Sequence, residues 1–564
     1  MSLVLAALVG LPLAAGASIA VARPASERAA RWAFWASVGS FAAAAITLAL
    51  VVIDGPLDLV ATGDDGRAVV GLTADRVGAI LVVLTTGVAV VVQAFAGRSL
   101  QGDPRAARFH ALAAVLTAST TGVALAATAS SLFVAWVITS ITLTALLAHK
   151  APWPPAVAAV RRTARAFIIG DVALLASIVG AIVVVGDLDM RMLSADAAAL
   201  DGEQIAGISA LSFFAVLMVV AGIARSALVP IHRWLPATLA APTPVSALLH
   251  AGVINGAGVL LIRFAPVVGG SAPAMTLAFV VGLATAVLAT AVMLVRTDVK
   301  GSLVWSTSGQ MGFMVVQLGV GAFAAALFHI VGHASYKASM FLGAGGSITA
   351  HARQEIRPHL GRDSMSLRIS PVTRLVVGLV VPVAAFALAL LLIDPHLTAA
   401  ATILIVVFGT LSAGRAANGW LSSAPLPGAR TFATACVGTV VAVFAYVAGL
   451  TLFEKFVADV VPFEVPAAVG PVWVAVVLAL IALAAVTVAA LPGRRGDRLR
   501  QHVYVWLIGT GATRPDRSLR SRQRPVPATP ASTAGARSAS SPSMQRPESE
   551  PSEMAGSTPA GGTS

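Results

Sequence analysis

The chain has 564 residues, of which 57% are hydrophobic and 11% charged, and its formal net charge is +13. Soluble domains carry about 25% charged residues, so this composition excludes a soluble fold and indicates a polytopic helical membrane protein. The one cysteine, Cys436, excludes an internal disulfide and a cysteine-based metal site. The basic residues lie in short loops between apolar stretches, which indicates membrane orientation and not nucleic-acid binding.

Apolar stretches long enough to cross a bilayer recur along the chain. They span residues 3–22, 33–53, 76–97, 110–128, 129–148, 165–186, 207–229, 243–262, 273–295, 301–320, 322–349, 370–393, 398–413, 431–453 and 470–491. At roughly 20 apolar residues a span, this pattern predicts about fifteen transmembrane helices. No Lys or Arg precedes the first stretch, so it is predicted to be a retained span and not a cleaved signal peptide.

The charges of the connecting loops alternate. Acidic residues follow the second, sixth and fourteenth stretches, in residues 54–65, 187–203 and 454–464. Basic residues follow the first, third, fifth, ninth, eleventh and last stretches, in residues 23–31, 98–108, 150–165, 296–300, 353–368 and 494–500. Basic loops stay on the cytoplasmic side, so we expect a multi-pass cell-membrane protein with its N-terminus outside and its C-terminus in the cytoplasm.

The chain is expected to be organised around residues 225–263, where an apolar helix meets Pro230 and further prolines follow. Proline lacks an N–H and clashes with the preceding turn, so the backbone cannot continue as one helix here. A second apolar helix then carries His250 and Asn255 at membrane depth. Transporters use such broken helices to place polar groups inside lipid.

The eleventh stretch carries His329, His333 and Lys337. Their i, i+4, i+8 spacing places all three on one helix face. Imidazole exchanges protons near neutral pH, and a lysine in apolar surroundings can release its proton, so this row suits a proton relay. The alternative is that these groups hydrogen-bond to neighbouring helices and hold the bundle together.

His250 is a second relay candidate, which could instead bond to a backbone carbonyl that the break leaves free. Arg225, late in the seventh stretch, stays protonated and can set a field but cannot relay a proton. It needs a counter-charge in the membrane. Asp171, near the start of the sixth stretch, lies at a similar depth, and we predict that it pairs with Arg225.

Two further features of the later stretches support an ion path. Ser306 and Gln310, in the first half of the tenth stretch, either hold waters in a wire or join helices. Pro382, in the middle of the twelfth stretch, predicts a second broken helix that echoes the first, as an inverted repeat would. The sequence contains no phosphate loop, dinucleotide fingerprint, hydrolase triad or metal-ligand spacing, so no enzyme activity, cofactor or metal is predicted.

Three motifs occur in order along the chain: HRWLPATLAAPTPVSALLHAG, DVKGSLVWSTSGQMGFM and FHIVGHASYKASMFLGAGGSI. They resemble the antiporter-like, proton-translocating membrane subunits of respiratory complex I and of Mrp cation/proton antiporters. The version APTPVSALLHAGVINGAGVLLIRFAP is most similar to the DabB type, the membrane subunit of a two-part inorganic carbon transporter. The resemblance implies an all-α fold with inverted repeats and broken helices.

The resemblance divides the chain into N-terminal transmembrane helices at 1–75, an antiporter-like core at 76–413 and C-terminal transmembrane helices at 414–510. Residues 511–564 are rich in Ser, Pro, Arg and Gly and are predicted to form a disordered cytoplasmic tail, because they cannot bury enough apolar surface. The basic start of this tail either touches anionic lipid or serves only as a positive-inside anchor.

The resemblance also assigns roles to individual positions. The family's span-seven lysine falls on Arg225, and its span-eight and span-eleven residues fall on His250, His329, His333 and Lys337. The chain departs from the complex I and Mrp pattern at two places. Val137 follows Trp136 where those subunits have a glutamate, and residues 370–393 contain no lysine.

Three functions remain open at this stage. The first is the membrane subunit of an energy-coupled CO2 or bicarbonate transporter that conducts H+ or Na+ and works with a cytoplasmic DabA-like partner, which is similar to a zinc carbonic anhydrase. The second is a proton-translocating subunit of a complex I or Mrp assembly. The third is a passive membrane anchor for a soluble enzyme.

Overall fold

The structure is a computed structural model that describes residues 2–64, 66–191, 197–205, 207–355, 370–423, 428–461 and 468–511. These residues belong to one compact unit. The predicted disordered tail lies outside the described residues from residue 512 onward. The domain boundaries at 76 and 414 stay predictions.

Most described residues are helical. In chain order the helices are α1 (Ser2–Ala22), α2 (Ser26–Asp54), α3 (Arg76–Ser99), α4 (Ala106–Leu125), α5 (Ala129–Leu147), α6 (Pro154–Val185), α7 (Ala197–Gly202), α8 (Ala210–Arg225), α9 (Trp234–Ala237), α10 (Thr243–Ala251), α11 (Gly256–Arg263), α12 (Ala265–Gly269), α13 (Ala272–Val295), α14 (Val299–Gly319), α15 (Phe323–Glu355), α16 (Pro371–Ile393), α17 (Ala399–Ser423), α18 (Ala429–Val457), α19 (Pro471–Ala490) and α20 (Gly493–Gly511).

Eleven spans, counted over the described residues with α10 and α11 taken together, are long and apolar enough to cross a membrane. This confirms the predicted class of polytopic helical membrane protein. The four other stretches predicted as spans, 110–128, 207–229, 301–320 and 322–349, also fold as helices, namely α4, α8, α14 and α15. The total of about fifteen spans stays a prediction.

The acidic loops meet on one face, which we call the acidic face and which comprises the loops after α2, α6 and α18. The loop after α2 forms an antiparallel hairpin of β1 (Leu57–Thr62) and β2 (Ala68–Ala74) that the sequence analysis did not predict. Arg191, after α6, pairs with Asp58 on β1. Arg76, at the start of α3, pairs with Asp459, after α18, at 3.3 Å.

The basic loops meet in the same way on the opposite ends of the helices. Arg105, before α4, donates to the carbonyl of His149 at 2.6 Å, which joins the loops after α3 and α5. Lys300, at the start of α14, donates to the carbonyls of Leu239 and Ala241 at 2.9 and 2.6 Å. The loops therefore group by charge, as the alternation in the sequence predicts.

Small residues allow α13 and α14 to pack backbone to backbone. A Cβ on Gly312 of α14 would lie 2.5 Å from the backbone nitrogen of Ala286 on α13. A Cβ on Gly282 of α13 would lie 2.8 Å from the carbonyl oxygen of Gly312. Helices in membranes associate through such close approaches, because lipid provides no hydrophobic drive between them.

The predicted break at Pro230 is present. Helix α8 ends at Arg225, and residues 226–233 form turns before the short helix α9. The helix thus ends four residues before Val229, the last residue that a proline at position 230 would allow, and the backbone groups at its end are satisfied nearby. Ser226 N–H donates to the carbonyl of Gly222 at 2.9 Å, and Leu228 N–H donates to that of Ile223 at 3.0 Å.

The prediction of one continuous helix over 243–262 is wrong, because α10 ends at Ala251 and α11 begins at Gly256. Gly252 makes the break with φ −111° and ψ −85°, and a Cβ there would lie 2.8 Å from the carbonyl oxygen of Leu248. This break therefore falls at a glycine, whereas the prolines of the sequence predicted breaks only at Pro230 and Pro382.

The predicted break at Pro382 is also wrong. Residues Pro371–Ile393 form one helical span, α16, with a π-helical turn at Val376–Val380 just before the proline. In a π-turn a backbone carbonyl accepts from the N–H five residues on, so a carbonyl that the proline cannot bond finds another donor. The helix therefore continues past Pro382. The second interruption in this chain therefore lies at Gly252 and not in the twelfth stretch.

Candidate ion-translocation site

Lys337 lies at the middle of α15 and is fully buried, with 0% of its surface exposed. Its Nζ donates to Ser306 Oγ at 2.8 Å and to the carbonyl oxygen of Leu303 at 3.4 Å, both on α14. These partners are uncharged. The side chain thus reaches the amino-terminal half of α14, which the pattern of hydroxyls and amides singled out.

His333 lies one turn before Lys337 on the same helix face. Its Nδ1 lies 2.8 Å from Gln310 Oε1 on α14. Its ring stacks on that of His329, with the centroids 5.9 Å apart and the planes 17° apart. His333 Nε2 and His329 Nε2 are buried and have no hydrogen-bond partner among the described residues. His329, His333 and Lys337 therefore form one row, in which two ring nitrogens have no hydrogen-bond partner among the described residues and can accept or donate a proton.

His250, on α10, is brought to this row from across the bundle. It is fully buried, and its ring stacks on Phe341 of α15 with centroids 4.2 Å apart and planes 14° apart. The His333 side chain lies next to the His250 backbone. Neither ring nitrogen of His250 has a hydrogen-bond partner in the described part of the chain, so the alternative, a bond to a freed carbonyl, is not what the structure shows.

Arg225, at the end of α8, forms the second cluster, and the predicted pair with Asp171 of α6 is present. The Arg225 guanidinium lies 3.3 Å from Asp171 Oδ1 and donates to Ser140 Oγ at 2.8 Å. It also lies over the ring of Trp136, 4.1 Å from the centroid. Trp136 Nε1 and Ser140 Oγ donate in turn to Asp171 Oδ1, at 2.9 and 3.1 Å.

Trp136 and Ser140 are partners of this ion pair that the sequence did not predict. They lie four residues apart on α5, so both side chains face the same direction. A serine one turn after a tryptophan in an apolar span is the signal that was available. The sequence does not show that Arg225 of α8 and Asp171 of α6 contact each other beside this serine and tryptophan.

A cavity of about 50 Å³ lies beside Arg225, between α3, α4, α5 and the break at Gly252. Its lining includes Thr139, Gly252 and Val253. A water needs about 10–15 Å³ measured in this way, so the cavity has room for a few waters. Of the two clusters, the one around Arg225 therefore adjoins a small cavity.

Asn255 and Ser226 hold the broken segment in place. Asn255 Nδ2 donates to the carbonyl of Ala251 at 2.9 Å, at the end of α10. Ser226 Oγ bonds to the carbonyl of Ile254 and accepts from the N–H of Ala257 at 3.0 Å. Asn255 thus supports the break at Gly252, and Ser226, which the sequence analysis missed, ties that break to the end of α8.

The transmembrane family of NADH:quinone oxidoreductases and Mrp antiporters matches residues 126–414, just over half of the chain. This chain belongs to that family. The matched range contains the row on α15, His250 and the pair on α8 and α6 described above. Membership in the family confirms the resemblance that the three motifs indicate.

The proteins similar to this chain include a carbon transporter subunit and a quinone oxidoreductase chain. The chain is 35% identical over 305 residues to "Probable inorganic carbon transporter subunit DabB1" of Halothiobacillus neapolitanus, covering 53% of this chain and 55% of that protein. It is 32% identical over 314 residues to "NAD(P)H-quinone oxidoreductase chain 5" of a Picosynechococcus strain, covering 55% and 46%. The chain thus spans about half the length of these relatives.

Solved structures share the antiporter-family fold. The Mrp complex from Dietzia sp. DQ12-45-1b matches 92% of this chain and 57% of that chain, with TM-score 0.52 and 24% identity. The membrane-bound sulfane sulfur reductase, an archaeal respiratory membrane complex, matches 91% of this chain and 98% of that chain, with TM-score 0.56 and 16% identity. At these identities the likeness concerns the fold alone.

Proposed function

We propose that this antiporter-family chain is a cation-translocating membrane subunit, in which H+ or Na+ passes the row of His250, His333 and Lys337. The observation that carries this proposal is the setting of Lys337, which is fully buried and bonded only to uncharged partners among the described residues. A lysine at the centre of a bilayer costs about 2.5–3.5 kcal/mol on insertion scales, and no ion pair within the described part of the chain offsets that cost.

The free ring nitrogens extend the proposed path. His329 and His333 stack along α15 towards the acidic face, and Gln310 orients one of the rings. Ser306 binds the lysine ammonium at the other end of the row. A chain of neighbouring groups that both donate and accept is what proton transfer over several ångströms requires.

The Arg225–Asp171 pair has a separate role in this proposal. Because arginine keeps its proton, the pair provides a fixed positive charge beside the internal cavity and does not itself carry the moving cation. Asp171 on α6 supplies the carboxylate that Val137 on α5 cannot. The first half of the core therefore keeps an acid–base pair in a different position from the family pattern.

We further propose that this ion flow supports inorganic carbon uptake in the cell membrane, with the N-terminus outside and the basic face in the cytoplasm. The DabB relatives support this assignment, because their names describe inorganic carbon transporter subunits. The grouping of basic loops on one face supports the orientation. In this proposal a cytoplasmic DabA-like partner, similar to a zinc carbonic anhydrase, binds the basic face and hydrates the carbon species.

The carbon-uptake assignment is tested by growth. A host that needs elevated CO2 expresses this chain together with the large soluble subunit that is encoded beside it, and growth in air is measured. Wild type should restore growth, and His250→Ala should abolish it while membrane abundance and co-purification of the partner remain. Ser339→Ala, on an exposed face of α15, is the matched control and should grow as wild type.

The other two functions predict different outcomes. Full growth of His250→Ala would favour a passive anchor for a soluble enzyme. Co-purification with quinone-oxidoreductase subunits instead of a carbonic-anhydrase-like protein would favour a complex I or Mrp assembly, which the match to the quinone oxidoreductase chain supports.

A further inference from the structure

A second, larger cavity opens at the acidic face. It measures about 270 Å³ and lies between the hairpin, the end of α11 and the loop after α18. Its charged lining residues include Asp75, Arg191, Arg263 and Asp459. A hydrated pocket with both signs of charge on its walls accommodates small ions without strongly excluding either sign. We call this space the vestibule.

The inner end of the vestibule is formed by one ion pair. Arg263, the last residue of α11, pairs with Asp75, the residue that precedes α3, and their side chains are only 7% and 16% exposed. Asp75 uses its second oxygen to cap α3, accepting from Gly78 N–H at 2.7 Å. The carboxylate is therefore held in place by the helix, and the arginine is the partner that can move.

The same arginine also touches the inner cavity beside Arg225. Arg263 Nη2 donates to the carbonyl of Ala124, and Ala124 lines that inner cavity. Helix α11 connects the two spaces, because Gly256 at its start lines the inner cavity and Arg263 at its end lines the vestibule. Seven residues of helix correspond to roughly 10 Å, so the two spaces lie within one short helix of each other.

The guanidinium of Arg263 packs closely against the start of α3. Gly78 leaves space for the guanidinium, since a Cβ there would lie 2.6 Å from Arg263 Nη2. Arg263 Nε is buried and has no hydrogen-bond partner among the described residues. The guanidinium is thus held on one edge only, and a buried pair that is incompletely bonded gains from hydration when it opens.

We propose that Arg263 and Asp75 form a closed gate between the vestibule and the inner cavity. A cation that enters the vestibule competes with Arg263 for the Asp75 carboxylate. When the arginine is displaced, it swings away from Ala124 and the two spaces join. The gate rests on the proposed function, since the inner cavity reaches Gly252, two residues from His250 of the proposed cation path.

The test measures access and not transport. In a Cys436→Ser background, Thr139→Cys places one thiol in the inner cavity, where Thr139 is 4% exposed. Silver ion, an ion-sized thiol reagent, is added in solution, and the unreacted thiol is counted by alkylation after denaturation. A closed gate predicts slow modification in the parent.

Asp75→Asn should raise the modification rate at least about tenfold, because an open state that is a minor species becomes the main one. Asparagine keeps the α3 cap, so the helix start survives. Arg263→Gln should do the same. Asp497→Asn is the matched control, because it breaks an arginine–aspartate pair outside the vestibule, that with Arg500, and should leave the rate at the parental value.

Parental modification rates in folded Asp75→Asn and Arg263→Gln would overturn the gate. Should Asp75→Asn fail to fold, Arg263→Gln is measured alone, since it removes the charge that pairs with Asp75, and a parental rate in that folded variant overturns the proposal equally. Lys337→Ala should stop ion flux without changing the labelling rate. The labelling rate therefore tests the gate, and the ion flux tests the proposed function.

Discussion

The carboxylate of Asp171 on α6 lies 3.3 Å from the guanidinium of Arg225 on α8, and both contact Ser140 on α5. Three helices thus share one buried charge pair, which Trp136 covers on one side. The family pattern places a glutamate directly after that tryptophan, and this chain has Val137 there. In this chain the counter-charge of Arg225 is Asp171 of the neighbouring helix α6.

Asp171→Asn should destabilise the protein strongly, because it leaves the Arg225 charge buried without a counter-charge. Removing one partner of a buried pair costs about 3–5 kcal/mol, and the 16% exposure of Asp171 favours the lower end. The measurement is unfolding in mixed micelles titrated with SDS. The double variant Asp171→Asn/Arg225→Gln should recover part of the loss, because the unpaired charge is gone. A single variant as stable as wild type would show that the pair contributes nothing.

Gly312→Val should disrupt the contact between α13 and α14. Its Cβ would lie 2.5 Å from the Ala286 backbone nitrogen, which cannot move aside without moving α13. Overpacking of this kind costs about 1–3 kcal/mol, and a backbone clash lies at the upper end. Gly332→Val is the matched control, since nothing lies within 4 Å of a Cβ there. Folded yield after purification is the measurement, and equal yields for both variants would contradict the close approach.

Ser226→Ala should loosen the break between α10 and α11. The variant loses the bonds of Ser226 Oγ to the Ile254 carbonyl and the Ala257 N–H, and both backbone groups are left buried. Interhelical hydrogen bonds in membranes contribute about 0.6–1.7 kcal/mol, and two bonds at one site place this loss near the upper value. Hydrogen exchange of residues 252–257 should rise.

A matched control for the Ser226 experiment is Ser335→Ala, whose hydroxyl bonds to Val331 of its own helix on an exposed face. It should leave exchange across residues 252–257 unchanged. An unaltered exchange rate in Ser226→Ala as well would mean that the break is held by packing alone.

The class of fold and the clusters of ionisable residues could be predicted from the sequence because both follow from local rules. A charged residue in an apolar stretch is visible wherever it occurs, and helical spacing fixes which residues share a face. This identified the row on α15 and the pairing of Arg225 with Asp171. The charge of the loops likewise predicted which loops lie on the same side of the bundle.

The departures have a different origin, since they depend on contacts between distant segments. At the break at Gly252, the side chains of Ser226 and Asn255 hydrogen-bond to backbone carbonyls that flank the break. Pro382, by contrast, is accommodated by a π-turn within its own helix. Proline is therefore neither necessary nor sufficient for a break. The hairpin β1–β2 is short and lies in a loop of mixed polarity, where period-two patterns are too brief to be read.

The central claim, that a cation crosses the membrane past Lys337, is tested most directly by flux in proteoliposomes. The purified complex is reconstituted, an H+ or Na+ gradient is imposed, and the internal ion concentration is followed with a dye. Wild type and the exposed-face variant Ser339→Ala should dissipate the gradient at equal rates. Lys337→Ala, incorporated at equal density, should lower the rate at least about tenfold, as removal of an essential relay group does. Undiminished flux of both ions through Lys337→Ala would contradict the claim.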